Sequence, residues 1–275
     1  MISKSKKALL LIGHGSRSPK GVKDYWGLAN MLEKKRPDLK IGFGFLELAN
    51  PNIEEAIDEL AKQGIEEIVA VPLVLLGASH LKIDGPQLLK QARKKYPEID
   101  FKYSNSIGIS SSVISLALNK IKNSIDKHKW NSKDVAIALI GRGSSDPDAN
   151  SDLYKIGRLL QEKGNFSLVE PGFVSLTAPF VPDLLDKFSL LGTKQIIISP
   201  YFLFQGILVD RIKDQYQKWN KDYPEIEIEI TSTLGPDDLL VDIIFERYFQ
   251  TNQQNVYMNC DCCIYKEEFL NIHSI

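Results

Sequence analysis

Short apolar runs rich in Ile, Val and Leu alternate along the chain with longer stretches in which apolar residues recur at helical spacing. A strand buried on both faces reads as a near-continuous hydrophobic run, and a helix lying on a sheet shows a stripe of period 3.6, so the alternation predicts parallel sheets with crossover helices. In the first half the pattern predicts strands near Ala8–Ile12, Lys40–Leu48, Glu67–Pro72 and Ile99–Tyr103. Helices are expected over roughly Lys20–Lys35, Pro51–Gln63, Asp84–Lys95 and Ser110–Lys127. Pro51 suits the first turn of its helix, where a missing N–H is harmless, and Gly64 suits the C-terminal cap.

The pattern then repeats. ALLLIGHGSRSP from Ala8 matches AIALIGRGSSDP from Ala136, and Gly44, Pro51, Gly64 and Pro72 fall on Gly172, Pro179, Gly192 and Pro200, a constant offset of 128 positions through three strand-helix units. The second copy runs from Val135 to about Gln250, with Ser232–Pro236 leading into its last helix. The expected fold is α/β, with two similar lobes, each a parallel four-stranded sheet flanked by helices, and a cleft between them. The lobes are expected at residues 1–127 and 135–250, joined by a polar linker at 128–134 and followed by a tail at 251–275.

Composition narrows the function classes. Thirty-four basic residues oppose 35 acidic ones. The overall field therefore offers no attraction to nucleic acid or to an anionic membrane. The N-terminal lysines precede an apolar stretch, Ala8–Ile12, that is shorter than the roughly 7–15 residues of a signal-peptide core, and no run approaches the roughly 20 residues of a membrane span. A cytoplasmic protein, or one in the soluble phase of an organelle, is expected. The three cysteines crowd together at Cys260, Cys262 and Cys263, which is not a disulfide framework.

In open parallel sheets ligands gather beyond the carboxyl ends of strands. His14 follows the first strand, Glu47 lies at the end of the second and His80 follows the third. Two imidazoles and a carboxylate on neighbouring strand ends suit a borderline-soft divalent metal with open coordination positions. Taken singly, a histidine after a strand is more often a loop hydrogen-bonder than a ligand, and Glu47 could equally be an exposed strand-end carboxylate. The repeat weighs on the question: at the offset positions His14 becomes Arg142, Glu47 becomes Ser175 and His80 becomes Leu208, while most of the glycines and prolines around them persist. The three candidates are present in one half and absent from the other as a set.

These residues carry a family resemblance. GHGSR at Gly13, FLEL around Glu47 and PLVLLGASHLKIDGP around His80 resemble the class II chelatases that metallate sirohydrochlorin. GRGSSDPDANSDLYKIGRLL from Gly141 and PYFLFQGILVDRI from Pro200 resemble the second lobe of that family's long form. The resemblance implies insertion of Co²⁺ or Fe²⁺ into sirohydrochlorin, a ring rich in carboxylates, with His14 and His80 as metal ligands or proton acceptors and Glu47 as their acidic partner. Metal entry displaces two pyrrole protons, so neutral imidazoles and a carboxylate suit the task. Arg142 either clamps a substrate carboxylate in a bidentate pair or neutralises Asp146 or Asp148, and the SSDPDANSD run reads as a turn with a helix cap.

The tail MNCDCC from Met258 resembles the M-x-C-x-x-C tail of long family members, with Cys260 and Cys263 in the matching places. The resemblance associates these with an iron–sulfur centre, for which one chain supplies too few thiolates unless a partner subunit or other ligands complete it. Cys262 is an addition to that pattern, and a tail with exposed, oxidisable thiols is the bland reading. A monomer is expected, or a dimer where a cluster is shared, and His128 and His273 are expected to face solvent. The competing readings are a non-catalytic metal or tetrapyrrole carrier and, last, a phosphate-transfer enzyme using His14, which has only Arg17 nearby to cradle phosphate.

Overall fold

The computed structural model describes residues 6–77 and 79–251, the side chains of 79–83 excepted. It contains two four-stranded, all-parallel sheets. The first comprises β1 (Lys7–Gly13), β2 (Lys40–Phe45), β3 (Glu67–Pro72) and β4 (Asp100–Tyr103), in the order β2-β1-β3-β4. Helices α1 (Pro19–Lys35), α2 (Ile53–Lys62) and α3 (Ser79–Lys95) connect its strands, and α4 (Ser111–His128) leads to the second sheet. That sheet, β5 (Val135–Gly141), β6 (Leu168–Phe173), β7 (Gln195–Pro200) and β8 (Glu227–Ile230), has the same order, β6-β5-β7-β8. Its helices are α5 (Pro147–Gly164), α6 (Val181–Leu190), α7 (Ile207–Trp219) and α8 (Asp238–Thr251). The repeat read in the sequence is thus a repeat of structure, with α3 and α7 beginning at the corresponding residues Ser79 and Ile207.

The central strands are apolar throughout because both faces are covered. From β1, Ala8, Leu10 and Ile12 pack with Ile68 and Ala70 of β3 against Ile53, Ile57 and Leu60 of α2 and Leu89 of α3. The alternate residues Leu9, Leu11, Val69 and Val71 are equally buried, and α8 packs against β3 and α1. Burying a Leu or Ile side chain contributes about 1.5–3 kcal/mol, so these strands anchor the sheet.

The packing divides the chain into units that differ from the lobes expected at 1–127 and 135–250. Among the described residues, one compact unit comprises residues 6–108 and 237–251, the other 109–236. Helix α4, encoded at the end of the first repeat, packs on α5 and β7, whereas α8, encoded at the end of the second, packs on β3 and α1. Each repeat gives its last helix to the other's sheet. An amphipathic stripe records that a helix must be buried but not which sheet receives it. Arg247 of α8 fastens this arrangement, donating from Nε to the Ser106 carbonyl and from Nη2 to the Ile107 carbonyl, both at 2.9 Å.

Three local expectations are corrected. Strand β2 ends at Phe45 rather than Leu48, because the chain folds back and the Phe45 N–H donates to the Pro51 carbonyl at 2.9 Å. Pro51 therefore lies ahead of helix α2, and Asn52 is the N-cap, its side chain accepting from Glu55 N at 2.8 Å while the Glu55 carboxylate accepts from Asn52 N at 2.9 Å. Helix α3 begins at Ser79 rather than Asp84 and carries Pro86 inside it. The Gly85-Pro86 pair reads as a helix start, but proline removes only one hydrogen bond from the turn before it, and glycine is required there because a Cβ at 85 would lie 2.2 Å from the Tyr103 hydroxyl. Gly64 closes α2 as expected, at φ +74°.

The 128–134 segment is a structured connection. The His128 ring stacks on Trp130 with centroids 4.6 Å apart, His128 Nε2 lies 3.0 Å from Glu229 Oε2, and Trp130 Nε1 donates to Glu227 at 3.0 Å. His128 is exposed on one side, yet engaged. The cysteine tail and His273 lie outside the described residues.

Candidate active site

The β1–β2 ladder continues past the ends of its strands. Gly13 C=O accepts from Leu46 N at 2.9 Å and His14 C=O accepts from Glu47 N at 3.1 Å, which sets His14 and Glu47 side by side beyond the carboxyl edge of the sheet. Two backbone features hold that geometry. Gly15 has φ +95°, and a Cβ there would stand 1.7 Å from the Glu47 carbonyl oxygen, so only glycine lets the loops approach. Leu48 adopts φ +63°, a left-handed conformation that costs a leucine roughly 1–2 kcal/mol, and it turns the chain immediately after Glu47. Below the loop, the buried Tyr25 ring packs on Phe45 with centroids 4.3 Å apart.

The result is a close pair of side chains, with His14 Nδ1 3.5 Å from Glu47 Oε1. At 37% and 51% side-chain exposure, both can reach a ligand and exchange protons with solvent. They line a cavity of about 300 Å³ with Leu46, Asp84, Gln87, Leu88 and Gln91. That volume is at the lower end of small-molecule sites, which span roughly 300–1,000 Å³.

Of the residues expected at this site, the structure brings His14 and Glu47 together. His80 occupies the first turn of α3, and its side chain lies outside those described. No group of three or more His, Cys, Asp or Glu side chains poised to hold a metal is present among the described residues. Arg142 belongs to the other unit and is exposed. Asp146 instead caps α5, accepting from Asp148 N at 3.1 Å, as the turn-and-cap reading of that run expects.

Asp84, Gln87 and Gln91 were not singled out by sequence reasoning. Their signal was register: counted from His80 they fall at i+4, i+7 and i+11, one stripe of a helix, and it becomes visible once the helix is begun at Ser79.

The second unit repeats the scaffold without the chemistry. Val174 N donates to Gly141 C=O and Ser175 N to Arg142 C=O at 3.0 and 3.1 Å. Gly143 has φ +87° and Leu176 φ +69°. Where Glu47 offers a carboxylate, Ser175 Oγ donates to the Arg142 carbonyl at 3.1 Å.

A family model, CbiX, matches the chain twice, over residues 8–124 and 136–251. The chain belongs to the CbiX family. The two CbiX matches follow the repeats rather than the packing units. A sirohydrochlorin cobaltochelatase of Priestia megaterium is 35% identical over 260 residues, covering 94% of this chain and 85% of that protein. A sirohydrochlorin ferrochelatase of the same organism is 30% identical over 259 residues, covering 91% and 94%. Among solved structures, SirB from Bacillus subtilis with Fe³⁺ superposes with a TM-score of 0.78 at 30% identity, covering 89% of this chain and 95% of that one. No described helix is long and apolar enough to cross a membrane.

Proposed function

We propose that this CbiX-family chain is a sirohydrochlorin chelatase that inserts Co²⁺ or Fe²⁺ into the macrocycle at the His14–Glu47 end of the first unit. The observation that carries the reading is the contrast between repeats: one backbone frame holds an imidazole and a carboxylate 3.5 Å apart in one unit and an arginine with a serine in the other. The names of the relatives supply the substrate, and both metals occur among them.

In this reading His14, with His80 in the adjacent helix turn, binds the incoming ion through imidazole nitrogen and leaves positions open for pyrrole nitrogens. Each metal–nitrogen bond that replaces an N–H releases a proton. Two leave per turnover: Glu47 takes one, the imidazole nitrogen that His14 frees as the ion passes to the ring takes the other, and both pass to water, which the exposure of the two side chains permits. Arg142 serves as a donor pair for a substrate carboxylate. Cys260 and Cys263 are read as iron–sulfur ligands shared with another chain, and anaerobic iron and sulfide analysis with visible spectra tests that separately.

The test of the main reading is anaerobic incubation of catalytic protein with excess sirohydrochlorin and Co²⁺ or Fe²⁺ in turn, following visible absorption. Many turnovers per chain are expected. Stoichiometric uptake that stops at one equivalent makes the protein a carrier.

A further inference from the structure

The α3 face that lines the site's cavity has a counterpart in the second unit, and there it is packed into the core. Position for position along α3 and α7, Asp84, Leu88 and Gln91 correspond to Ile212, Tyr216 and Trp219. Ile212 and Trp219 are buried in the second core and Tyr216 packs against it. The Trp219 indole stacks on Tyr223 with centroids 4.2 Å apart and donates to Asp186 at 2.6 Å. In the first unit the same helix face keeps an acid and an amide on an open cavity. Gln87 is retained as Gln215, whose Oε1 is buried without a hydrogen-bond partner among the described residues, whereas Gln87 is exposed.

Asp84, Gln87 and Gln91 line the cavity with His14 and Glu47, while of the basic residues farther along the helix Arg93 Nη2 donates to the Phe101 carbonyl and Lys95 pairs with Asp58. Both glutamines are exposed and line the cavity. At about 1.5 Å rise per residue, Gln87 and Gln91 stand roughly 10 and 16 Å along the helix from position 80. Anionic groups of a ligand are disfavoured beside Glu47 and Asp84 and meet neutral amide donors at Gln87 and Gln91.

We infer that Gln87 and Gln91 form a carboxylate-binding subsite that orients the rim of the tetrapyrrole, donating hydrogen bonds to its acidic side chains while the ring nitrogens face His14 and Glu47. This rests on the chelatase reading. A neutral amide suits the position: it can donate to a carboxylate, whereas a carboxylate there would add to the repulsion from Glu47 and Asp84, and an apolar side chain would offer no donor.

The test is a charge series at one exposed position, Gln91→Glu, Gln91→Leu and Gln91→Lys, with the same series at Gln87. Initial rates are measured against sirohydrochlorin at saturating Co²⁺, and metal-free sirohydrochlorin is titrated by absorption. Gln91→Glu is expected to raise KM and the dissociation constant about 10-fold or more and Gln91→Leu severalfold, while Gln91→Lys holds them at or below wild type. The kcat and the KM for Co²⁺ should stay unchanged in all three, as expected for a group that binds ground and transition states alike. Affinity that ignores the sign of the charge at both positions, or a loss confined to kcat, overturns the inference. Graded binding without turnover in the wild type would overturn the chelatase reading and leave the subsite standing. No binding by the wild type overturns both.

Discussion

Gly15→Ala is the perturbation with the best internal control. The added methyl would sit 1.7 Å from the Glu47 carbonyl oxygen. The His14 and Glu47 loops must part by roughly 1.5 Å to reach even a tight contact. The left-handed backbone costs an alanine roughly 1–2 kcal/mol, and losing the hydrogen bond between His14 C=O and Glu47 N adds about 1 kcal/mol. A total of roughly 2–4 kcal/mol corresponds to a fall in Tm of about 5–15 °C for units of this size. Gly143→Ala meets the same obstacle in the second unit, with its methyl 2.0 Å from the Ser175 carbonyl oxygen, and should cost a similar amount. Only the first variant moves His14 against Glu47, and misplacement on that scale should cost about 100-fold in turnover. Both variants are followed by circular dichroism melting and by cobalt insertion rates well below the lower Tm, with the folded fraction measured. Equal loss of turnover in the two variants, or full activity in Gly15→Ala, refutes the claim that this loop contact sets the site.

Further outcomes follow from other parts of the structure. His14→Ala and Glu47→Gln should each lower kcat about 100-fold or more, the range of lost acid–base catalysis, whereas His128→Ala, which loses the Trp130 stack and the Glu229 contact, should leave turnover unchanged while lowering the melting temperature. Asn52→Ala removes the acceptor for Glu55 N and should cost about 1 kcal/mol in a urea titration without altering KM. Burial pushes the Glu67 carboxyl up, but hydrogen bonds from Lys102 and Lys7 outweigh it and hold Glu67 below its ordinary value. Its contribution is therefore present above the unfolded carboxylate range near about 4.3 and lost as pH falls through the lower folded value. Lys102→Met removes one of these partners and brings the folded value closer to the unfolded one, so a plot of Tm against pH should fall less steeply through the acid range than in wild type.

Much of this architecture was legible because it is local and repeated. A strand buried on both faces, such as Ala8–Ile12, announces itself as an apolar run, and the constant spacing between Gly13 and Gly141 carried through to the boundaries of most elements. The pairing of His14 with Glu47 was legible as two strand ends that share a ladder. What escaped were features set by contacts distant in the chain. Pro86 reads as a boundary because the Tyr103 ring that makes room for Gly85 comes from the next strand. Leu48 carries no mark of its left-handed backbone, which the fold-back to Pro51 imposes. Asp84 and Gln91 of α3 have no distinguishing neighbours in sequence, and they stand out only beside the isoleucine and tryptophan at the matching positions of the second unit.

The crosswise placement of α4 and α8 makes the two repeats inseparable in a practical sense. A chain cut near Trp130 would yield one fragment holding β1–β4 with a helix suited to the other sheet, and a second fragment with the reverse arrangement. Each would expose apolar strand residues such as Val69 and Val71 that only the other fragment can cover. Two such fragments should aggregate when made alone and reassemble when made together. A gene encoding one repeat would reach the same end by trading helices between two identical copies.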